Sequence, residues 1–262
     1  MDCFEVEWTP EKIARFWSNY EETPGMQNWH FSKQRGAALI SWSRKKVSFS
    51  APVLDLGCGS GHLISLLLSQ GLQTHGADVS DSAGKIVNER FRNDRNFLGY
   101  TPLQKGKSLP FDDNSFKTVF LLETVEHLLP PDLEAILLES RRILADGGNL
   151  IVTTPNQEFL RDSFVFCRSC GAQFHSFQHI RSLDSSSLWA QIEKAGFKKV
   201  ICRPAILLPD LSVWLLAQRC RKASFIPCPE CGFKVVNSAL KSGNQIKSVL
   251  RELYHLVCIA SK

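Results

Sequence analysis

Three groups of residues in this chain have the types and spacings that chemistry demands. The first is a pair of matched turns, Cys167-Arg-Ser-Cys170-Gly171 and Cys228-Pro-Glu-Cys231-Gly232. In each, two thiols separated by two residues can point inward, and the glycine after the second Cys permits a tight turn. Two such turns complete a tetrahedral, all-thiolate Zn²⁺ site. The second group is Glu123-Thr-Val-Glu126-His127, with His179 further along. Two carboxylates and two imidazoles suit general acid/base work or a divalent metal. His127 is the favoured general base, because an imidazole titrates near neutral pH. The third group is Gly57, Gly59 and Gly61, led by Asp55 and followed by Asp78. Alternate glycines after a short apolar run let the backbone turn sharply and let a ligand lie against bare main chain.

These residues need elements to position them. Val53–Leu56 is an apolar run of strand length, followed by a helix from about 61 to 70. Strand Gln73–Val79 carries Asp78 at its end, and helix 82–92 follows. A weaker strand lies in 96–104, then Phe116–Glu123. A helix opens at Pro130-Pro131-Asp132, where prolines suit a first turn, and ends at Ala145–Gly148. Asn149–Thr154, Phe197–Arg203 and Tyr254–Ser261 read as three more strands, with a helix over Ser185–Ala195 stopped by Gly196. Strand alternating with helix predicts a parallel sheet covered on both faces. Residues 9–46 read as helical and aromatic-rich, a helical cap over residues 1–50 in front of a main domain at 51–262.

The order of motifs resembles the class I S-adenosylmethionine-dependent methyltransferases, from about Pro52 through Val200 and again from Tyr254. The residues that carry the resemblance are Asp55–Gly61, Asp78, Leu109-Pro110-Phe111-x-x-Asn114-Ser115-Phe116, Glu123-x-x-Glu126-His127, Leu144-x-x-Gly147-Gly148 and Thr154-Pro155-Asn156. The resemblance implies an α/β fold with a seven-stranded Rossmann-like sheet whose last strand inserts antiparallel beside the fifth. It implies S-adenosylmethionine as cofactor, held by Asp55, Gly57, Cys58, Gly59, Gly61, Asp78 and Glu123, with His127 and Glu123 as the catalytic pair. A carboxylate in the place of Asp78 accepts hydrogen bonds from both ribose hydroxyls. Lys105 stands where relatives often carry an Asp against the adenine amino group, and Phe116-Lys117 where they often have Phe-Asp. Glu123-x-x-Glu126-His127 with a later His also resembles the plant small-RNA 3′-terminal 2′-O-methyltransferases, where these residues hold a divalent metal.

The Cys turns fall after the fifth strand and between the sixth and seventh, on excursions leaving the same edge of the sheet. Tying both with one structural Zn²⁺ through Cys167, Cys170, Cys228 and Cys231 makes residues 157–182 and 204–250 a stapled lid. Two alternatives stay open: unrelated reduced Cys pairs, or a local C-x₂-C-x₄-H-x₃-H site through His175 and His179. Phe174–Arg181 resembles the segment after strand five in bacterial methyltransferases of surface-polysaccharide and other secondary pathways. Together these features imply methyl transfer to an O or N nucleophile on a small or sugar-like molecule. A non-catalytic, zinc-stapled binding protein is the rival from another class.

The 262 residues are 44% hydrophobic and 22% charged, with a net charge of +5 spread without a basic stripe. That pattern argues against nucleic acid as partner. The acidic start, Met1-Asp2-Cys3-Phe4-Glu5, lacks the features of a signal peptide, and no apolar run reaches membrane-spanning length. A cytoplasmic setting with reduced cysteines follows as the expectation.

Overall fold

The computed structural model of the chain describes residues 3–22, 26–104, 106–215, 225–236 and 254–262. Its centre is a sheet built from β2 (Val53–Leu56), β3 (Thr74–Asp78), β4 (Phe97–Pro102), β5 (Phe116–Leu122), β6 (Leu144–Pro155), β9 (Lys198–Ile206) and β12 (Tyr254–Ser261). The strands lie in the order β4-β3-β2-β5-β6-β12-β9. Neighbours run parallel across β4-β3-β2-β5-β6, while β12 is antiparallel to both β6 and β9. The seven-stranded arrangement and the insertion of the last strand beside the fifth are therefore as the sequence implied.

Both faces of the sheet are apolar, which is why its strands read as unbroken hydrophobic runs. Leu54, Val119, Leu121, Leu150, Val152, Leu256 and Cys258 point to one side. There they meet Leu133 and Leu137 of α5 (Pro130–Ile143) and Leu188 and Ile192 of α6 (Ser185–Lys194). The alternate residues Val53, Phe120, Ile151, Val257 and Ile259 point to the other. They meet Leu39 and Ile40 of α2 (Phe31–Arg44) and Leu63 and Leu67 of α3 (His62–Leu68). Local signals set the helix ends: Ser80 caps α4 (Asp81–Phe91), and Asp184 forms a capping box with Ser187 at α6. Both caps satisfy backbone N–H groups that a helix start leaves without partners.

The N-terminal segment departs from a purely helical reading. It opens on a short strand, β1 (Phe4–Glu5), then α1 (Pro10–Glu22), a 3₁₀ turn at Met26–Trp29, and α2. β1 pairs parallel with β8 (Ala172–His175), which is antiparallel to β7 (Phe164–Phe166). A second hairpin joins β10 (Phe225–Pro227) to β11 (Lys234–Val236). Each Cys turn is the tip of one of these hairpins. The short strands escape sequence reading because the thiols and turn residues between them break the period of two. Lys105 lies outside the described residues. Among those described, no helix is long and apolar enough to cross a membrane.

Candidate active site and cysteine cluster

The chain order of the sheet reverses between β2 and β5, and ligands in open α/β sheets sit at the carboxyl ends of strands at such a point. The glycine loop occupies it. Gly57, Gly59 and Gly61 have φ of 81°, 47° and 76°, a region that residues with a Cβ rarely adopt. A Cβ on Gly57 would stand 2.7 Å from Thr124 Oγ1. The loop is laced to β3 by Gly57 N–H and Cys58 N–H, both donating to Ala77 O. Asp78 completes the turn: its Oδ2 accepts from Gly59 N–H at 2.9 Å and its Oδ1 from Ser80 N–H at 3.0 Å.

A cavity of about 1520 Å³ opens over this rim. It is larger than the ~300–1,000 Å³ of an ordinary small-molecule site, so it has room for two ligands side by side. Gly57, Cys58, Gly59 and Asp78 line it, as do Glu123 and His127. Asp55 and Gly61 are not on its wall. Gly61 is the left-handed N-cap of α3, pressed toward Phe91 and Val87. Asp55 lies under the loop at 3% exposure, with Oδ2 making no hydrogen bond. Burial, and then the charge of Asp78, push its carboxyl up to about 8. Leu109 is on the same wall, its segment held by Arg142 of α5, which donates to Phe111 O and Leu109 O.

The second rim is assembled from three separate parts of the chain. Glu123 directly follows β5 with φ of 45°, its Oε2 3.6 Å from His255 Nε2. Burial raises Glu123 to about 8. Glu126 is 1% exposed, and neither carboxylate oxygen has a hydrogen-bond partner. His127 is held by Gln178: its Nδ1 lies 3.4 Å from Gln178 O, and Gln178 Nε2 donates to His127 O at 3.0 Å. The Gln178 amide oxygen accepts from Trp17 Nε1–H at 2.7 Å. Burial, with His179 and His175 nearby, lowers the His127 pKa well below the usual 6.5, so the ring is neutral at pH 7.

His179 Nδ1 meets Glu158 Oε2, and His175 Nε2 lies 3.2 Å from Glu158 Oε1. His175 Nδ1 accepts two backbone N–H groups, from Phe177 and His179, which assigns its proton to Nε2. Glu126, His127 and His179 can each offer one ligand atom within 4.8 Å of one another; Glu158, His175 and His179 form a second such group. Glu123 belongs to neither. Sequence reasoning missed Glu158 and Gln178. Glu158 carried one usable signal, an acid three residues past the carboxyl end of β6, whereas nothing marks a neutral Gln as a buried hub.

The four knuckle cysteines converge. Cys167 Sγ lies 3.7 Å from Cys231 Sγ, Cys170 Sγ lies 3.6 Å from Cys228 Sγ, and all four fall within 4.8 Å of one another. The two turns are built alike: Gly171 N–H donates to Cys167 O and Gly232 N–H to Cys228 O, each at 2.9 Å. Their glycines have φ of 85° and 76°. The two imidazoles of the local Cys–His alternative are turned to Glu158 instead.

Residues 54–152 match the family model described as a methyltransferase domain. Over those residues the chain is similar to methyltransferase domains. The sterol 4-C-methyltransferase of Caenorhabditis elegans is 28% identical to it over 41% of this chain and 32% of that protein. The ubiquinone biosynthesis O-methyltransferase of Idiomarina loihiensis is 28% identical over 42% of this chain and 44% of its own length. The chain thus spans less than half the length of these curated relatives. Among solved structures, a 1,6-didemethyltoxoflavin-N1-methyltransferase from Burkholderia thailandensis, bound to its substrate and S-adenosylhomocysteine, superposes with a TM-score of 0.61. It is 15% identical, over 98% of this chain and 92% of that one. A methyltransferase from Methanosarcina mazei gives 0.56 at 15% identity, over 84% and 96%. At such identities the likeness speaks for the fold.

Proposed function

We propose that the chain binds S-adenosylmethionine and transfers its methyl group to an oxygen or nitrogen nucleophile on a small or sugar-like acceptor. One observation carries this reading: a single cavity at the switch point of the sheet joins the glycine loop and Asp78 to Glu123 and His127. The cofactor, when bound, supplies a sulfonium methyl open to direct displacement. The chain's own residues align the partners and take up a proton. Bare backbone at Gly57, Cys58 and Gly59 admits the cofactor, Asp78 faces the ribose, and Asp55 and Gly61 hold the loop from beneath. Glu123 is assigned to the amine of the methionine end. His127, neutral and on the cavity wall, is the proton acceptor. Titration calorimetry with S-adenosylhomocysteine, then a screen of hydroxyl and amine acceptors, tests the reading. His127→Ala is expected to lower turnover about 10²–10⁴-fold with cofactor affinity kept.

The cysteine cluster fits a structural Zn²⁺. A tetrahedral ion with Zn–S bonds of about 2.3 Å requires sulfurs about 3.8 Å apart, close to the separations found. Four thiolates leave no position for exchangeable water, so the ion stays outside the chemistry and staples the two excursions. The N-terminal helices belong to this lid as its third component.

A second reading is favoured by one feature of the rim. His127 and His179 have their Nδ1 atoms turned to Gln178 O and Glu158, which leaves both Nε2 atoms for a metal, beside a buried Glu126 carboxylate that makes no hydrogen bond and lies 3.8 Å from His127 Nε2. Metal-binding imidazoles are oriented by such outer acceptors. A divalent ion there would be held by three of the four residues that metal-dependent RNA 2′-O-methylation would use, with Glu123 outside the group. Loss of turnover on chelation, restored by Mg²⁺ or Mn²⁺ with the knuckle zinc retained, would decide for it.

A further inference from the structure

The cysteine hairpins and the N-terminal segment share a hydrophobic core of their own, separate from those of the sheet. Phe16 of α1 is fully buried there, with Val165, Phe174, Ile226 and Val235 from the two hairpins. Trp8 meets the edges of both Phe16 and Phe174, at centroid distances of 5.7 and 6.4 Å. The backbone is joined as well, through β1 on β8 and Val6 N–H donating to Gln173 O at 2.9 Å. At the second knuckle, Lys12 Nζ lies 2.5 Å from Glu230 Oε1, and Arg15 Nη2 donates to Glu230 O. Glu230 sits between the two cysteines of that turn.

The same helix faces the cavity. Ile13, Trp17 and Tyr20 line it, and the Trp17 ring stands 4.8 Å from that of His127. Trp17 also fixes Gln178, which in turn holds His127. Phe16 thus belongs to the knuckle core and Ile13 to the cavity wall, while Trp17 and Tyr20 of the same helix take part in both.

We propose that the Cys₄ hairpins and α1 form one unit whose task is to place Trp17 and Tyr20 against the methyl acceptor, with Lys12, Phe16 and Glu230 as positioning residues. This rests on the reading of the cavity as a methyl-transfer site. Joining two hairpins by a single cluster gives α1 a fixed bed. Without it, a helix of 13 residues is marginal by itself. The sheet and glycine loop rest on different cores, so they do not depend on that bed.

Hydrogen exchange on the full chain, read by mass spectrometry, tests the coupling without any acceptor in hand. In Cys228→Ser, amides of α1 are expected to exchange at least about tenfold faster, while β2, β3 and the glycine loop keep their protection. Affinity for S-adenosylhomocysteine should stay within about twofold of wild type. Lys12→Glu and Glu230→Lys, which leave the cysteines intact, should each speed α1 exchange about two- to fivefold, the scale of a partly exposed ion pair. The charge-swapped double variant should restore it. Trp17 quenching by acrylamide, isolated by difference against Trp17→Phe, should rise and fall with α1 exchange. Unchanged α1 protection and quenching in Cys228→Ser would overturn the proposal, as would a double variant no better than its singles. Failure of the wild-type chain to bind S-adenosylhomocysteine would instead remove the methyl-transfer reading and leave the coupling measurable.

Discussion

Gly57 offers the sharpest quantitative test of the cofactor loop, because two separate penalties meet there and can be told apart. Its φ of 81° strains any residue with a Cβ, at about 1–2 kcal/mol. The Cβ of alanine would also stand 2.7 Å from Thr124 Oγ1 and 3.4 Å from Thr124 Cγ2. Thr124 cannot easily yield, since its hydroxyl donates to Leu122 O at 2.9 Å. Overpacking of that kind costs about 1–3 kcal/mol, so Gly57→Ala should destabilise by roughly 2–5 kcal/mol in total. Thr124→Ala alone forfeits one hydrogen bond, about 0.5–1.5 kcal/mol. Combining the two removes the collision but leaves the backbone strain. The double variant should therefore be more stable than the sum of the singles predicts, by about 1–3 kcal/mol. Thr124→Ser is the control, because it keeps the colliding oxygen and should give no such relief. Urea unfolding of the four proteins supplies the cycle, with S-adenosylhomocysteine titration as the functional readout. A double variant additive within about 0.5 kcal/mol would refute the steric reasoning.

Asp78→Ala should weaken S-adenosylhomocysteine by about 1.5–3 kcal/mol, and it should also lower stability, because Gly59 and Ser80 N–H both lose their acceptor. Calorimetry and thermal melting report the two effects, and wild-type affinity in the variant would place the ribose elsewhere. Asp55, raised from 3.8 to about 8, binds a proton in the folded chain that the unfolded chain has released. Its contribution is therefore fully present below pH 4 and is lost as pH rises through 8. Asp55→Asn should flatten that part of the Tm–pH profile, and an unchanged slope would show the carboxyl ionised throughout. Carefully purified protein should hold close to one equivalent of zinc by elemental analysis; less than about half would count against the Cys₄ reading.

The sheet was legible because its strands are covered on both faces. Val53-Leu54 and Val119-Phe120-Leu121-Leu122 feed opposite cores with alternate residues, so no polar position interrupts them. The glycine loop was legible for the opposite reason: its positive φ angles leave few residue types to choose from. Asp55 and Gly61 belong to the same motif yet stay off the cavity wall. A motif records what the loop needs in order to fold as well as what the ligand touches, and spacing alone does not separate the two.

The second rim shows where reading the chain stops. His175 and His179 follow the first knuckle at a spacing that suited a Cys–His zinc site as well as a rim of the cavity. Linear spacing is neutral between those arrangements, since a His five or nine residues past a Cys can turn either way. What decides is backbone: Phe177 and His179 N–H groups occupy His175 Nδ1, Glu158 takes Nε2, and the second hairpin supplies the remaining thiols. Gln178 is subtler still. It carries no charge, yet it joins Trp17 of α1 to His127 behind β5, with φ of 59° that a Gln adopts only at a cost. That cost is borne where the first cysteine hairpin's flank, the N-terminal helix and the candidate base meet. Gln178→Ala should therefore disturb His127 and Trp17 together, and a ring signal of His127 unchanged in NMR spectra of that variant would sever the link.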